Sequence, residues 1–418
     1  MTSRADAPPI TEDIVRDLSA KLEEPEWLLE RRLDAFRAYA AMSMPDPLEE
    51  EWRRTDISGL DLEAALRLPN SATSHWQAGG FNPAVYAKGT LPHEFYFGDL
   101  DGARYYHEAE IRERLHTLVK PTEWKLGALQ AALQQKGTLV YVPRNVTVEV
   151  PLEHILEGVG GPVASHVLII AEANSSVTFV RNSISGDGGA QSLALDAVEI
   201  FAAPDARVSF VDVQRWGDSV YSFSTIRAHL DRGASLSAAL VGLGGRLAKT
   251  KLEVSLAGEG ASAELLGVTF GDGKRHFDYV TLQDHIAPHT SSDLMFKAAL
   301  DGSSSEVWNG TVRIQKGASQ SEANQTSRNL LLSDKAKAAP IPVLEIEAYD
   351  VLRCSHGATA GPLDEEQRFY LESRGIPPAE AERLLVEAFY REVIDRIGNE
   401  SVREKIDALL IEKLERSR

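Results

Sequence analysis

Near the C-terminal end of the chain stand two side chains whose types and spacing suit a soft metal, Cys354 and His356, in the run Asp350-Val351-Leu352-Arg353-Cys354-Ser355-His356-Gly357-Ala358-Thr359. On a β-strand, residues two apart project to one face. A thiolate beside an imidazole is a suitable partial ligand set for iron in a cluster. Two ligands do not complete a four-coordinate site, so the others would come from sulfide, nearby residues or another chain. A packing role stays open beside the metal role, because free cysteine is among the most buried residue types. His285 and His289, in Asp284-His285-Ile286-Ala287-Pro288-His289, form a weaker pair. Pro288 argues against a helix there, which makes them loop residues near a functional surface, with a structural role favoured over a ligand role.

Sequence signatures of enzymes are missing. The glycine-rich stretch Gly271-Asp272-Gly273-Lys274-Arg275 lacks the upstream glycine and the hydroxyl of a phosphate-binding loop, and reads as a tight turn. No dinucleotide fingerprint, nucleophile elbow or His-Glu-x-x-His helix occurs. No ATP site is therefore assigned to the chain. Its net charge of −18 disfavours nucleic acid and anionic membranes as partners, since both need a basic face. The single cysteine excludes an intrachain disulfide and a zinc site of paired cysteines. With no leader pattern over residues 1–30 and no apolar run long enough to span a bilayer, the expected location is the cytoplasm.

The elements that would position Cys354 and His356 form three regions. Residues 1–135 are helical and mixed. One helix starts after Thr11, and another after Pro25 carries Leu29, Leu33, Phe36 and Ala40 as a stripe. The charged run 49–54 reads as solvated, and 58–123 is poorly periodic apart from a strand at 94–97. A short helix over 125–135 follows. Residues 136–360 read as short strands with recurrent turns at Asn174, Asp205, Gly233, Gly260 and Gly317, interrupted over 271–290. The steps of 27–28 residues from Asp205 to Gly260 suit a β-solenoid, in which each strand pairs one coil away; an antiparallel sandwich is the alternative. Residues 361–418 are helical, with Asp364 and Gln367 as a capping pair, a stop at Gly375, Pro378 opening a second helix and a third from about 401. Leu385, Phe389 and Ile394, then Ile406, Leu409, Leu410 and Leu414, give these helices more apolar surface than a free tail needs. They cover the solenoid end or bind a partner.

The same residues carry a family resemblance. Leu344-Glu345-Ile346, Asp350-Val351, the Cys354 to Thr359 run, Leu363-Asp364-Glu365-Glu366-Gln367, Phe369-Tyr370-Leu371 and Ser373-Arg374-Gly375-Ile376 are similar to the signature of the SufB/SufD family of the SUF iron–sulfur cluster assembly system. Asn324-Gln325-Thr326, Asn329-Leu330-Leu331-Leu332-Ser333, Glu24-Pro25-Glu26-Trp27-Leu28 and Glu51-Trp52-Arg53-Arg54-Thr55-Asp56 fit too. SufB carries a cysteine in the segment matching 324–332 and a Glu-His-Glu around the later histidine. Here that cysteine is absent and Ser355 and Gly357 flank His356, which makes the chain SufD-like.

The resemblance implies a mainly β fold, a right-handed parallel β-helix flanked by helical N- and C-terminal parts. It implies a non-catalytic scaffold that forms a heterodimer with a SufB-like paralogue through the β-helix ends. A SufC-like ATPase would bind through the C-terminal helices, where Phe369, Tyr370, Leu385 and Phe389 are the docking candidates. His356, with Cys354 beside it, would ligate a transient iron–sulfur cluster shared with the partner. A homodimer is expected when the chain is alone, and a flavin, found with some SUF complexes, is assigned to no residue. A purely structural partner, and a carbohydrate-active β-helix enzyme with clustered carboxylates, are the competing readings.

Overall fold

A computed structural model of the protein describes residues 10–68, 72–79, 91–158 and 160–416; residues 1–9, part of the stretch read above for a leader, lie outside them. The helices are α1 (Glu12–Lys21), α2 (Glu26–Ala41), α3 (Leu62–Arg67), α4 (Leu100–Arg114), α5 (Lys125–Leu133), α6 (Glu365–Ser373), α7 (Pro378–Ile394) and α8 (Glu400–Arg416). The strands are β1 (Thr73–Ala78), β2 (Tyr96–Asp99), β3 (Lys136–Val142), β4 (Leu152–Glu157), β5 (Val163–Ala171), β6 (Ser176–Ile184), β7 (Ser192–Ala202), β8 (Arg207–Arg215) and β9 (Val220–Leu230). They continue with β10 (Ser235–Gly242), β11 (Leu247–Leu256), β12 (Ser262–Gly271), β13 (His276–His285), β14 (Ser291–Leu300), β15 (Ser305–Ile314), β16 (Glu322–Leu331), β17 (Lys337–Ile346) and β18 (Arg353–Pro362).

Consecutive strands fall in opposite sheets. The even strands from β4 to β18 form one parallel sheet and the odd strands from β3 to β17 the other, so the architecture is a β-solenoid of about eight turns. Coils turn at a column of residues with positive φ: Asn145, Asn174, Asp205, Gly233, Gly260, His289 and Gln320. The N–H of each donates to a carbonyl of the next coil, from Asn145 to Ala173 through to Gln320 to Asp350, at 2.9–3.2 Å. Asparagine, aspartate and glycine suit the left-handed conformation, which is why their recurrence was visible. Two readings change here. The column position of its coil is Gln320 and not Gly317, and 271–290 does not interrupt the repeat, because β13 pairs in register with β11 and β15.

Alternation within strands sorts side chains into two layers. Val177, Phe179, Val208, Phe210, Leu236, Leu265, Leu294 and Phe296 fill the interior. Val180, Val211, Val241, Leu266, Val268 and Phe270 face outward, under Val386, Val393, Val402, Ile406, Leu410 and Leu414 of α7 and α8. These helices thus cover a sheet face and not the solenoid end. On the other sheet Leu195, Phe223 and Leu247 lie beneath Leu33, Trp52, Leu126 and Leu129. Trp52 is therefore the buried exception in the run 49–54, whose Glu49, Glu50 and Arg53 are exposed as expected, while Ala40 is exposed and leaves the α2 stripe. The strand expected at 94–97 begins at Tyr96. Two helices fall in the stretch of poor periodicity, because α3 is only six residues long and the sequence of α4 is polar; α4 is capped by Asp99, whose carboxylate accepts from Gly102 N at 2.9 Å.

Inside the solenoid, Arg181 of β6 holds Asp212 of β8 through two hydrogen bonds, 2.8 and 2.7 Å, and faces Asp196 of β7 at 3.5 Å. All three are buried, so their charges are tolerable only as a set. Replacing Arg181→Met should lower stability by about 3–5 kcal/mol, read as a shift of the urea midpoint; an unchanged midpoint would show that the carboxylates do not need it.

Candidate functional site at the open solenoid end

The two solenoid ends differ. At the N-terminal end β1 and β2 lie antiparallel on β4 and β3. At the other end β17 and β18 are the last strands of their sheets, and most of their residues are half-buried or exposed. Lys337 N donates to Ser304 O and Glu347 N to Ile314 O, so odd residues of β17 pair inward and even ones face outward. Pro340 and Pro342 occupy outward positions and offer no N–H, which blunts this edge. The β18 edge carries no proline before Pro362. Around this end, Leu352 is 64% exposed and Tyr349 fully exposed, with Ile346 beside them.

Cys354 and His356 lie on β18, in register with Ala323 and Gln325. Both of those β16 residues are fully buried within the solenoid, so Cys354 and His356 share the inward side of the last coil, as the i, i+2 spacing required. Their surroundings differ. Cys354 packs against the apolar cluster of Val312, Ile314, Ala323, Leu344 and Val351, and burial pushes its thiol up. His356 is exposed. Gln325 beside it donates to Val343 O at 3.1 Å, while its Oε1 has no partner. On the other side of β18, Ser355 Oγ donates to Asn324, whose amide donates to Asp293, each at 2.8 Å. Asp293 in turn binds Arg396 from the α7–α8 turn. No group of three or more metal-ligating side chains occurs among the described residues. Cys354 and His356 are thus two side chains of ligand-forming type on the inward side of an open end.

The second histidine pair does not form a site. His285 is fully buried, with its ring nitrogens 2.8 Å from Thr290 Oγ1 and Ser292 Oγ, and burial lowers it to about 4. It is a neutral core residue, correcting the loop reading. His289 is one of the left-handed turn residues. The four docking candidates also separate. Phe369 and Tyr370 are 71% and 57% exposed on α6, which buries none of its residues. Leu385 is half-buried. Phe389 packs onto the sheet cover, with Lys297 Nζ 4.6 Å above its ring. The exposed apolar rim at 346–352 was missed, since only the end of the strand stack reveals which residues lack a neighbour.

Residues 154–389 match the family model described as the SufBD core domain of SUF-system FeS cluster assembly. The chain belongs to the SufBD family. Relatives within it include the iron–sulfur cluster assembly SufBD family protein Rv1462 of Mycobacterium tuberculosis, 35% identical over 67% of this chain and 71% of that one. The iron–sulfur cluster assembly protein SufD of Bacillus subtilis is 28% identical over 97% of this chain and 98% of its own. A SufBD family protein of Staphylococcus haemolyticus is 28% identical over 91% and 88%. This SufBD chain is thus similar to a SufD from end to end. No helix among its described residues is long and apolar enough to cross a membrane.

The packing of Cys354 has a kinetic consequence. Its alkylation by iodoacetamide should be slower at about pH 8 than that of free cysteine, and should keep rising at pH values where a free thiol has levelled off. A rate matching free cysteine would contradict the packing described.

Proposed function

We propose that this SufBD protein is a cytoplasmic, non-catalytic scaffold for iron–sulfur cluster assembly, joined through its open solenoid end to a SufB-like paralogue. The observation that carries the reading is the position of His356, exposed on the inward side of an uncapped last coil. A partner seated there would complete a ligand set that this chain supplies only in part. The cluster is the cargo of the complex, with His356 as the primary ligand from this chain and Cys354 second. Cys354 packs among apolar groups, so the purely structural reading is stronger for it than for His356. The exposed aromatic pair on α6, Phe369 and Tyr370, is proposed to dock a SufC-like ATPase, with Leu385 at the margin and Phe389 holding α7 in place. Without a partner, the same end would pair two copies of this chain.

Two experiments test this. Ile346→Glu with Leu352→Glu places carboxylates on the exposed rim, where the fold tolerates them, and should abolish copurification with the SufB-like partner; unaltered copurification would place the interface elsewhere. In the coexpressed complex, His356→Ala should remove most of the cluster while leaving the subunits associated. Full cluster yield in that variant would leave the chain as a structural partner.

A further inference from the structure

Two asparagines of the segments that carry the family resemblance, Asn324 and Asn329, stand on β16, the strand next to β18. Asn324 Nδ2 donates to Asp293 Oδ1 at 2.8 Å, and Asn324 Oδ1 accepts from Ser355 Oγ at 2.8 Å. An ionised carboxyl only accepts, so Asp293 fixes which end of the amide faces Ser355. Asp293 is itself held by Arg396, whose Nε donates to Glu264 at 2.9 Å, and Glu264 accepts from Ser237 at 3.2 Å. The tie on Ser355 thus runs from the last coil back to β10. Asn329 makes a second tie: its Nδ2 donates to Thr359 O at 3.0 Å and to Ser327 Oγ at 3.2 Å. Ser355 and Thr359 bracket His356 on β18.

Strand β18 needs such ties. It is the last of its sheet, so a backbone ladder holds it along one edge only, and that ladder forms equally well when the strand slides by two residues. A buried face sets the register of an inner strand, whereas a glycine-rich strand without one slips. Here Cys354 meets the apolar cluster, but His356, Gly357, Ala358, Thr359 and Ala360 are exposed. A slide of one residue would turn His356 to the outer face, and a slide of two would carry it about 7 Å along the strand. Sliding by two also sets Gly357 or Arg353 opposite Asn324 in place of Ser355, the one without a side chain and the other with a long, exposed one. We infer that Asn324 and Asn329 are the positioning residues of His356. Asn324 reads Ser355 and Asn329 grips Thr359, so the imidazole is held at one place on a strand whose own side chains specify its register weakly. This inference rests on the reading of His356 as a cluster ligand.

The test uses the full chain and its coexpressed complex. In the chain alone, Asn324→Ala, Asn329→Ala and Ser355→Ala should each speed amide exchange between Cys354 and Ala360 about three- to tenfold, as the net loss of one hydrogen bond requires. Exchange in β7 and β9 serves as the reference for an intact solenoid. Ser355→Thr keeps the hydroxyl and should exchange as the wild type does. In the complex, with isotope-labelled histidine, the reduced cluster should show the nitrogen coupling of a bound imidazole. That coupling should vanish in His356→Ala, fall severalfold in the Asn324→Ala, Asn329→Ala double variant and persist in Ser355→Thr. Its absence from the wild type, or its survival in His356→Ala, would overturn the ligand reading and this inference with it. A coupling that needs His356 yet stays at full strength in the double variant, or β18 exchange that the double variant leaves unchanged, would overturn the positioning role alone.

Discussion

Coil-to-coil pairing is the constraint on which the rest of the structure depends. Every strand from β5 to β16 finds its hydrogen-bond partners one turn before and one turn after, so the stack is stabilised by neighbour contacts and has no intrinsic stop. Each end then needs its own solution. The N-terminal end is closed by two antiparallel strands. At the C-terminal end two ten-residue strands are left with one free edge each, and one of those edges is blunted by Pro340 and Pro342. Free edges invite pairing with another chain. It is this end that carries Cys354 and His356.

The same constraint governs the faces. A sheet inside a solenoid exposes its outer side chains, and both sheets here carry apolar rows outward that other parts of the chain must cover. The N-terminal segment and α5 cover one, α7 and α8 the other. Ion pairs fasten the second cover around its rim, among them Lys405 with Glu153, Lys413 with Asp272 and Arg396 with both Glu264 and Asp293. Through Asp293, Asn324 and Ser355 this cover is tied to β18. The α7–α8 turn and the strand carrying His356 are therefore parts of one bonded network.

Much of this was legible in the sequence. The turn residues Asn174, Asp205, Gly233 and Gly260 announce the coil because left-handed backbone selects few residue types. Where His289 and Gln320 take the same position the pattern disappears, so that residues 271–290, which lead up to His289, read as an interruption and Gly317 as the turn of its coil. The shared face of Cys354 and His356 followed from strand period alone. What strand period cannot tell is that Cys354 meets an apolar cluster while His356 meets solvent, since that depends on which strands have neighbours. The burial of Trp52 within a charged run and the helix α4, with its sparse apolar residues, likewise depend on distant partners. Phe389 looked like Phe369 as a docking aromatic, yet one lies over the sheet and the other is free.

The central claim, that the last coil is completed by another chain, is tested most directly by hydrogen exchange on this chain alone and in its complex with the SufB-like partner. The account predicts new protection concentrated in β18 and the residues around Leu352 on complex formation, with β1 and β2 unchanged. Protection gained at β1 and β2 instead, with β18 exchanging as in the free chain, would contradict it.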